Sequence, residues 1–408
     1  MTQLPRARYH AGTLARPRIT PLTHLFALVA AALAVSGYTP PPLLHTDVNP
    51  QSATTCRSCH VDITTQWSNS AHARADRKEN QLFGRMYSFS LRETRGATMT
   101  KCGPCHETIL FVSNDFDRMR PVTDEGVTCV YCHAISGPGP ADGVPPFTLD
   151  LSAYQGSVRQ PVAVKDHKSA YSAFITKSDY CGGCHQYSNQ NGILISDTFG
   201  EWKRSKYAKL GVTCQSCHMP GEPGRNSSDG PVRPRVANHS FAGVVDNPKL
   251  KSPATLALRL GMRGADSLRV YAVVANVGAG HSIPTGNDQH LLLIRVRVKD
   301  VEGKIIWEND PFQDWEASIF GLVLATDLGS WPAETWTAAK VLADRRIKAG
   351  GSAQVRYDVP IADAKGALIV EAELVHRRAR PETIHIYGLD EETYGAERRM
   401  AEATLRVP

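Results

Sequence analysis

Cysteine and histidine recur five times in one fixed order: Cys56-Arg57-Ser58-Cys59-His60, Cys102-Gly103-Pro104-Cys105-His106, Cys129-Val130-Tyr131-Cys132-His133, Cys181-Gly182-Gly183-Cys184-His185 and Cys214-Gln215-Ser216-Cys217-His218. These runs use all ten cysteines of the chain. Two thiols three positions apart, followed at once by an imidazole, are the attachment chemistry of c-type haem: thioethers tether the porphyrin and the histidine ligates iron. Zinc knuckles also use Cys-x-x-Cys pairs, yet zinc gives no reason for a histidine directly after every second cysteine. Histidine is 15 of 408 residues, so five such placements are not a coincidence of composition. A disulfide framework would not impose the repeated two-residue gap. The reading is five covalently attached haem c groups, with His60, His106, His133, His185 and His218 as proximal iron ligands.

Each iron then takes a sixth ligand or keeps an open position. His10 and His24 belong to a leader, which leaves His45, His72, His167, His239, His281, His290, His376 and His385. There are enough of these for bis-histidine ligation throughout. His72 is expected on a helix with Trp67, whose ring could pack on a porphyrin. His239 follows a loop after the fifth motif. His281 sits in Gly278-Ala279-Gly280-His281-Ser282-Ile283-Pro284-Thr285-Gly286, where glycine and proline shape a tight loop that pushes an imidazole outward. His167 precedes the fourth motif. These four are the expected distal ligands. His290, at a strand start, is a weaker candidate. His376 and His385 are expected in strand-like runs facing solvent, and His45 lies in an extended arm.

The elements that must position these groups fall into four stretches. Residues 1–36 read as a signal peptide: Arg6, Arg8, Arg16 and Arg18, then the apolar run Leu25 to Val35, too short to span a bilayer comfortably, then small residues. Residues 37–50 are a proline-rich arm. Residues 51–250 form a loop-rich, mainly α domain of short helices around five haems. Its loops are marked by Gly137 to Pro146 and by Met219 to Pro234. One helix is expected from a Thr198-x-x-Glu201 capping box to Gly211. In residues 251–408 aliphatic positions alternate (Leu256 to Met262, Leu268 to Val274, Leu292 to Val298, Val355 to Val359, Leu368 to Leu374), which argues an all-β antiparallel sandwich. The fold class is therefore α+β in two domains.

The formal charge of +6 overstates the basicity of the exported chain, because the leader holds four of its arginines and each haem adds two propionates. No basic stripe is visible, so nucleic acid is not an expected partner. An internal echo links Trp67-x-x-Ser70-x-His72-Ala73 to Trp202-x-x-Ser205-x-Tyr207-Ala208. Gly126-Val127-Thr128-Cys129 likewise recurs as Gly211-Val212-Thr213-Cys214. Partial duplication of a haem-binding unit and convergent packing of tryptophan on haem both account for it.

The motif string, the two tryptophan segments, Cys214-Gln215-Ser216-Cys217-His218-Met219-Pro220 and the His281 loop resemble a multihaem cytochrome superfamily. It includes the tetrahaem carrier of ammonia oxidisers, hydroxylamine-oxidoreductase-like enzymes and filament-forming extracellular cytochromes. The resemblance covers residues 51 to about 290. It implies a largely α-helical haem wrapper with closely stacked haems, and it supports His72, His239 and His281 as distal ligands. The chain departs from the tetrahaem carrier in its fifth motif and long β region, and it lacks the Cys-x-x-Cys-Lys motif of pentahaem nitrite reductases. The expected function is an exported, periplasmic or extracellular electron carrier of anaerobic or extracellular respiration. It would serve redox proteins or an extracellular acceptor, with membrane association or a homo-oligomeric filament as modes of contact. The alternative is an oxidoreductase of a small nitrogen or sulfur species at one open haem.

Overall fold

Strands fill the chain after residue 252 wherever aliphatic residues alternate. The structure, a computed structural model, describes residues 50–139, 147–243, 253–362 and 364–408. The leader, most of the arm, His45 and the boundary placed at 250/251 lie outside the described residues.

Ala254–Arg263, Ser267–Asn276 and Ser352–Pro360 form one antiparallel sheet with Ser267–Asn276 in its centre. Ile305–Glu308, Leu291–Asp300, Leu368–Arg377 and Arg398–Val407 form the second in that order, and Ile319–Phe320 pairs with Leu291–Asp300. Ser267–Asn276 buries every second residue, and Leu368, Val370, Ala372 and Leu374 do the same on the other sheet. The two inner faces share one apolar core, so the alternation produces a sandwich. The start of Leu291–Asp300 is buried on both faces, because Leu291 and Leu293 pack outward on Ile319 and Val375.

Between residues 50 and 243 helices are short and strands come in pairs. Three expectations change here. The helix bearing Trp67 is Val61–Ser68 and stops before His72, which lies in the following turn. The helix starting at Thr198 ends at Arg204, and Ser205, in extended conformation, caps a separate turn Lys206–Lys209. Glu201 does not close a capping box: its carboxylate accepts from the Ser282 N–H at 2.9 Å and pairs with Arg346. Met219 to Pro234 is not a plain loop, since Gly221–Arg225 and Val232–Ala237 pair as an antiparallel hairpin.

The two halves share buried surface. Leu82, on helix Gln81–Glu93, packs with Trp336, Ile384, Tyr387 and Tyr394 of the β half, and Ile195 packs with Leu322 and Leu324. Trp336 donates its indole N–H to Glu93, and Asn189 donates to the Thr335 and Ala338 carbonyls, each at 2.8 Å. All described residues belong to one compact unit. Among the described residues no helix is long and apolar enough to cross a membrane.

Candidate functional site

Each Cys-x-x-Cys-His run lies in a helical turn or at its end: Ala53–Cys56, Met99–His106, Cys129–Ala134, Ser178–Gly182 and Cys214–His218. Helical spacing puts residues i, i+3 and i+4 on one side, so both thiols and the imidazole address one volume. The His60 and His185 N–H groups keep the i−4 bond to Cys56 and Cys181 at 2.9 and 3.0 Å. Thr128 and Thr213 start two of these turns as N-caps, each accepting from the N–H three residues on.

The internal echo has a structural basis. Trp67 donates its indole N–H to Val127 O at 2.8 Å, and Trp202 donates to Val212 O at 2.9 Å. The Val127 N–H returns to His72 O and the Val212 N–H to Tyr207 O, both at 2.9 Å. Gly126 and Gly211 both turn the chain at positive φ, and a side chain on Gly126 would strike His72 O. The two segments are thus one recurring unit. In the first it presents His72. In the second it presents Tyr207, whose ring supports Gly280 beside His281.

The imidazoles meet in four pairs. His60 faces His167 at a centroid distance of 6.2 Å, His72 faces His185 at 6.1 Å, His133 faces His239 at 6.4 Å and His218 faces His281 at 6.3 Å. Two imidazoles on opposite sides of one metal ion, with bonds of about 2 Å, put their ring centres about 6.3 Å apart. Direct ring stacking would bring them closer. Six of the site histidines also commit their second nitrogen to a backbone carbonyl, whereas His72 Nδ1 has no partner among the described residues. His60, His106, His133 and His218 donate from Nδ1 to the carbonyls of Asn226 (2.5 Å), Ala75 (3.2 Å), Gln155 (2.6 Å) and Ala242 (2.8 Å). His239 and His281 donate to Ala237 O and Ser282 O at 2.8 and 2.9 Å. A carbonyl can only accept, so the proton sits on Nδ1 and the Nε2 lone pair is left for a metal. Paired thiols, paired imidazoles and this tautomer fit haem c.

Desolvation, reinforced by His185, His218 and His106, pushes His72 down to about 3. Desolvation and His133 beside it bring His239 to about 4. The His185 ring is reachable by solvent, but the protein crowded around it and His218 bring it to about 4 as well. All three are held neutral, the form that ligates.

His106 differs. Its ring stacks on Phe83 at 4.0 Å and meets no other imidazole among the described residues at the paired spacing. Phe83 lies flat on the imidazole and therefore on the His106 side of a haem plane. Beneath this turn Glu107 and Asp76 are fully buried, held by Arg77 and Arg118. Tyr187 lies within electrostatic range of both Cys102 and Cys105.

Contacts between thiols set which turns are neighbours. Cys56 lies beside Cys129, Cys105 beside Cys184 and Cys181 beside Cys214, all as free thiols. Cys132 lies within range of both Cys181 and Cys184. The first motif thus adjoins the third, and the third, second and fifth all adjoin the fourth.

Two histidines depart from expectation. His376 is in a strand but faces inward, 3% exposed, and neither ring nitrogen has a hydrogen-bond partner among the described residues. His385 is exposed as expected, but on helix Pro381–Tyr387. His290 lies just before Leu291–Asp300 and donates from Nδ1 to Thr285 O at 2.8 Å.

Residues 55–134 match the family model described as cytochrome c554 and c-prime. Among solved structures the chain is similar to a penta-heme cytochrome c552 from Thermochromatium tepidum, with a TM-score of 0.71 and 23% identity over 88% of this chain and 99% of that one. A CARDB domain from Pyrococcus furiosus aligns to 40% of this chain and 97% of its own, at 12% identity, but its TM-score of 0.20 carries no weight. No curated protein matches the sequence. Taken with the five motifs, these likenesses support a multihaem c-type cytochrome. The similarity to the penta-heme structure spans both the helical and the β half, so the sandwich is part of the shared fold.

Proposed function

We propose that this protein is an exported electron-transfer cytochrome carrying five covalently bound haems, at least four of them bis-histidine. The observation that carries the reading is the four imidazole pairs at 6.1–6.4 Å. His167, His72, His239 and His281 are the distal ligands in this reading, opposite His60, His185, His133 and His218. Bound haem supplies one-electron exchange at iron, and the chain fixes spacing and potential through ligand identity, hydrogen bonds and burial. The carbonyls that accept from Nδ1 of His60, His106, His133, His218, His239 and His281 orient those rings and raise their basicity toward iron. The neighbour relations of the motifs give a route from the first through the third to the fourth, where the second and fifth branch off. Export, respiratory context and redox partners, protein or extracellular, belong to the same proposal.

A second reading, favoured by His106 alone, keeps the second-motif iron open to a small nitrogen or sulfur species. Tyr187, within electrostatic range of both second-motif thiols, is a candidate to hold a proton beside it. Electron paramagnetic resonance of the oxidised holoprotein, calibrated by pyridine haemochrome, separates the two. Four low-spin bis-histidine signals plus one high-spin signal that shifts with nitrite support the open site. Five low-spin signals indifferent to nitrite restrict the protein to electron carriage. Fewer than four bis-histidine signals would overturn the ligand assignment.

A further inference from the structure

The inner face of the sandwich changes character at one end. Along Leu368–Arg377 the inward positions Leu368, Val370, Ala372 and Leu374 are aliphatic and buried, and the next inward position is His376. On the neighbouring strand Leu292 pairs with His376, and two residues before Leu292 stands His290. On the other side Arg398 pairs directly with His376. Two adjacent strands, and the residue that leads into a third, thus bring basic side chains to the same end of one face.

The His290 and His376 rings meet edge to face at 5.2 Å and 74°. This is shorter than the spacing of the four ligand pairs. His376 leaves both nitrogens orphaned, although a neutral imidazole carries one N–H that needs an acceptor. Arg378, just past the strand end, rests its guanidinium on the Tyr394 ring at 4.9 Å. The charged groups acting on His376 are His290, Arg378 and Arg398, all basic, and Arg378 also acts on His290. Arg74, two residues after His72, lies within range of Arg378. This end of the sandwich therefore approaches the segment that delivers a haem ligand. Buried donors gathered with same-sign cations want an anion.

We propose that His290, His376 and Arg378 form a seat for a carboxylate or small oxyanion, filled by a haem propionate or by a free anion. The propionate form rests on the haem reading above. An anion here would accept from His376 and the Arg378 fork, and would give the β half a direct role in holding and tuning one haem.

The test uses the holoprotein with Arg378→Gln and His376→Leu, each checked for five haems by pyridine haemochrome. Fewer than five haems in the wild type would sink the haem reading itself. With five present, a propionate in the seat predicts that both substitutions shift one haem's reduction equilibrium about tenfold toward the oxidised form. That is about 59 mV for one electron, unaffected by added phosphate. A free anion instead predicts that phosphate raises the wild-type melting temperature above that in chloride of equal ionic strength, and that both variants lose the gain. Unchanged equilibria together with no phosphate effect would overturn the proposal. So would His376→Leu melting above wild type, the behaviour of an imidazole with nothing to bind. If His376→Leu fails to fold, Arg378→Gln decides alone.

Discussion

Residues 253–408 bury Leu268, Val270, Leu292, Ile294, Leu368 and Leu374 against one another with no exposed surface. Among the described residues between 50 and 243 the largest apolar cluster is far smaller, built around Ile109, Val122, Tyr131 and Phe147. The β half is stabilised by its own aliphatic side chains. In the proposed holoprotein porphyrin faces would supply much of the apolar contact that the motif-bearing half lacks. The proposed haem attachment therefore predicts a β half that holds its fold without cofactor and a motif-bearing half that does not, with His281 as the contribution of the first to the second.

The largest expected effect breaks this comparison outright. Material produced without haem attachment should lose hydrogen-exchange protection across residues 51–243 while 253–408 stays protected. Equal protection in both halves would contradict the division. The reciprocal change is Ile294→Ala in the sandwich core. It should cost about 2–5 kcal/mol of unfolding free energy in denaturant melts, with haem spectra unchanged below the transition. A smaller effect sharpens the contact between the halves. Burial pushes the Glu334 carboxyl up from 4.5 to about 7, opposed by its hydrogen bond with Tyr387. A raised acid pKa means the folded state holds the proton longer. Its stabilisation is therefore complete below 4.5 and is lost as pH rises through about 7. Glu334→Gln should flatten that decline, by up to about 3 kcal/mol, in melts at pH values spanning the window. An unchanged pH profile would remove Glu334 from this role.

Legibility in the sequence followed the range of the interactions. Alternation forecast the long strands because a pleated strand with one buried face writes a period of two into the residues themselves. The five Cys-x-x-Cys-His runs are legible because the covalent attachment they are proposed to make needs fixed neighbours. The Thr198 capping box failed for a tertiary reason: the Ser282 N–H and Arg346 claim Glu201, so the box never closes. The hairpin at Gly221–Arg225 and Val232–Ala237 carried glycine and proline signals that equally describe a loop. His376 was misread because a lone histidine in an alternating run belongs to whichever face its register assigns. Its hidden clue was phase, since it continues the inward series Leu368 to Leu374.

The order of residues alone groups ten thiols and five following histidines into five sets, because each set is closed within five positions. It determined likewise that the C-terminal stretch is strands, since that periodicity is local. Only the tertiary structure decided that His167 meets His60, His72 meets His185, His239 meets His133 and His281 meets His218. It alone left His106 facing Phe83. Those pairings join residues far apart in the chain, and no local pattern encodes which distant segment packing will bring alongside.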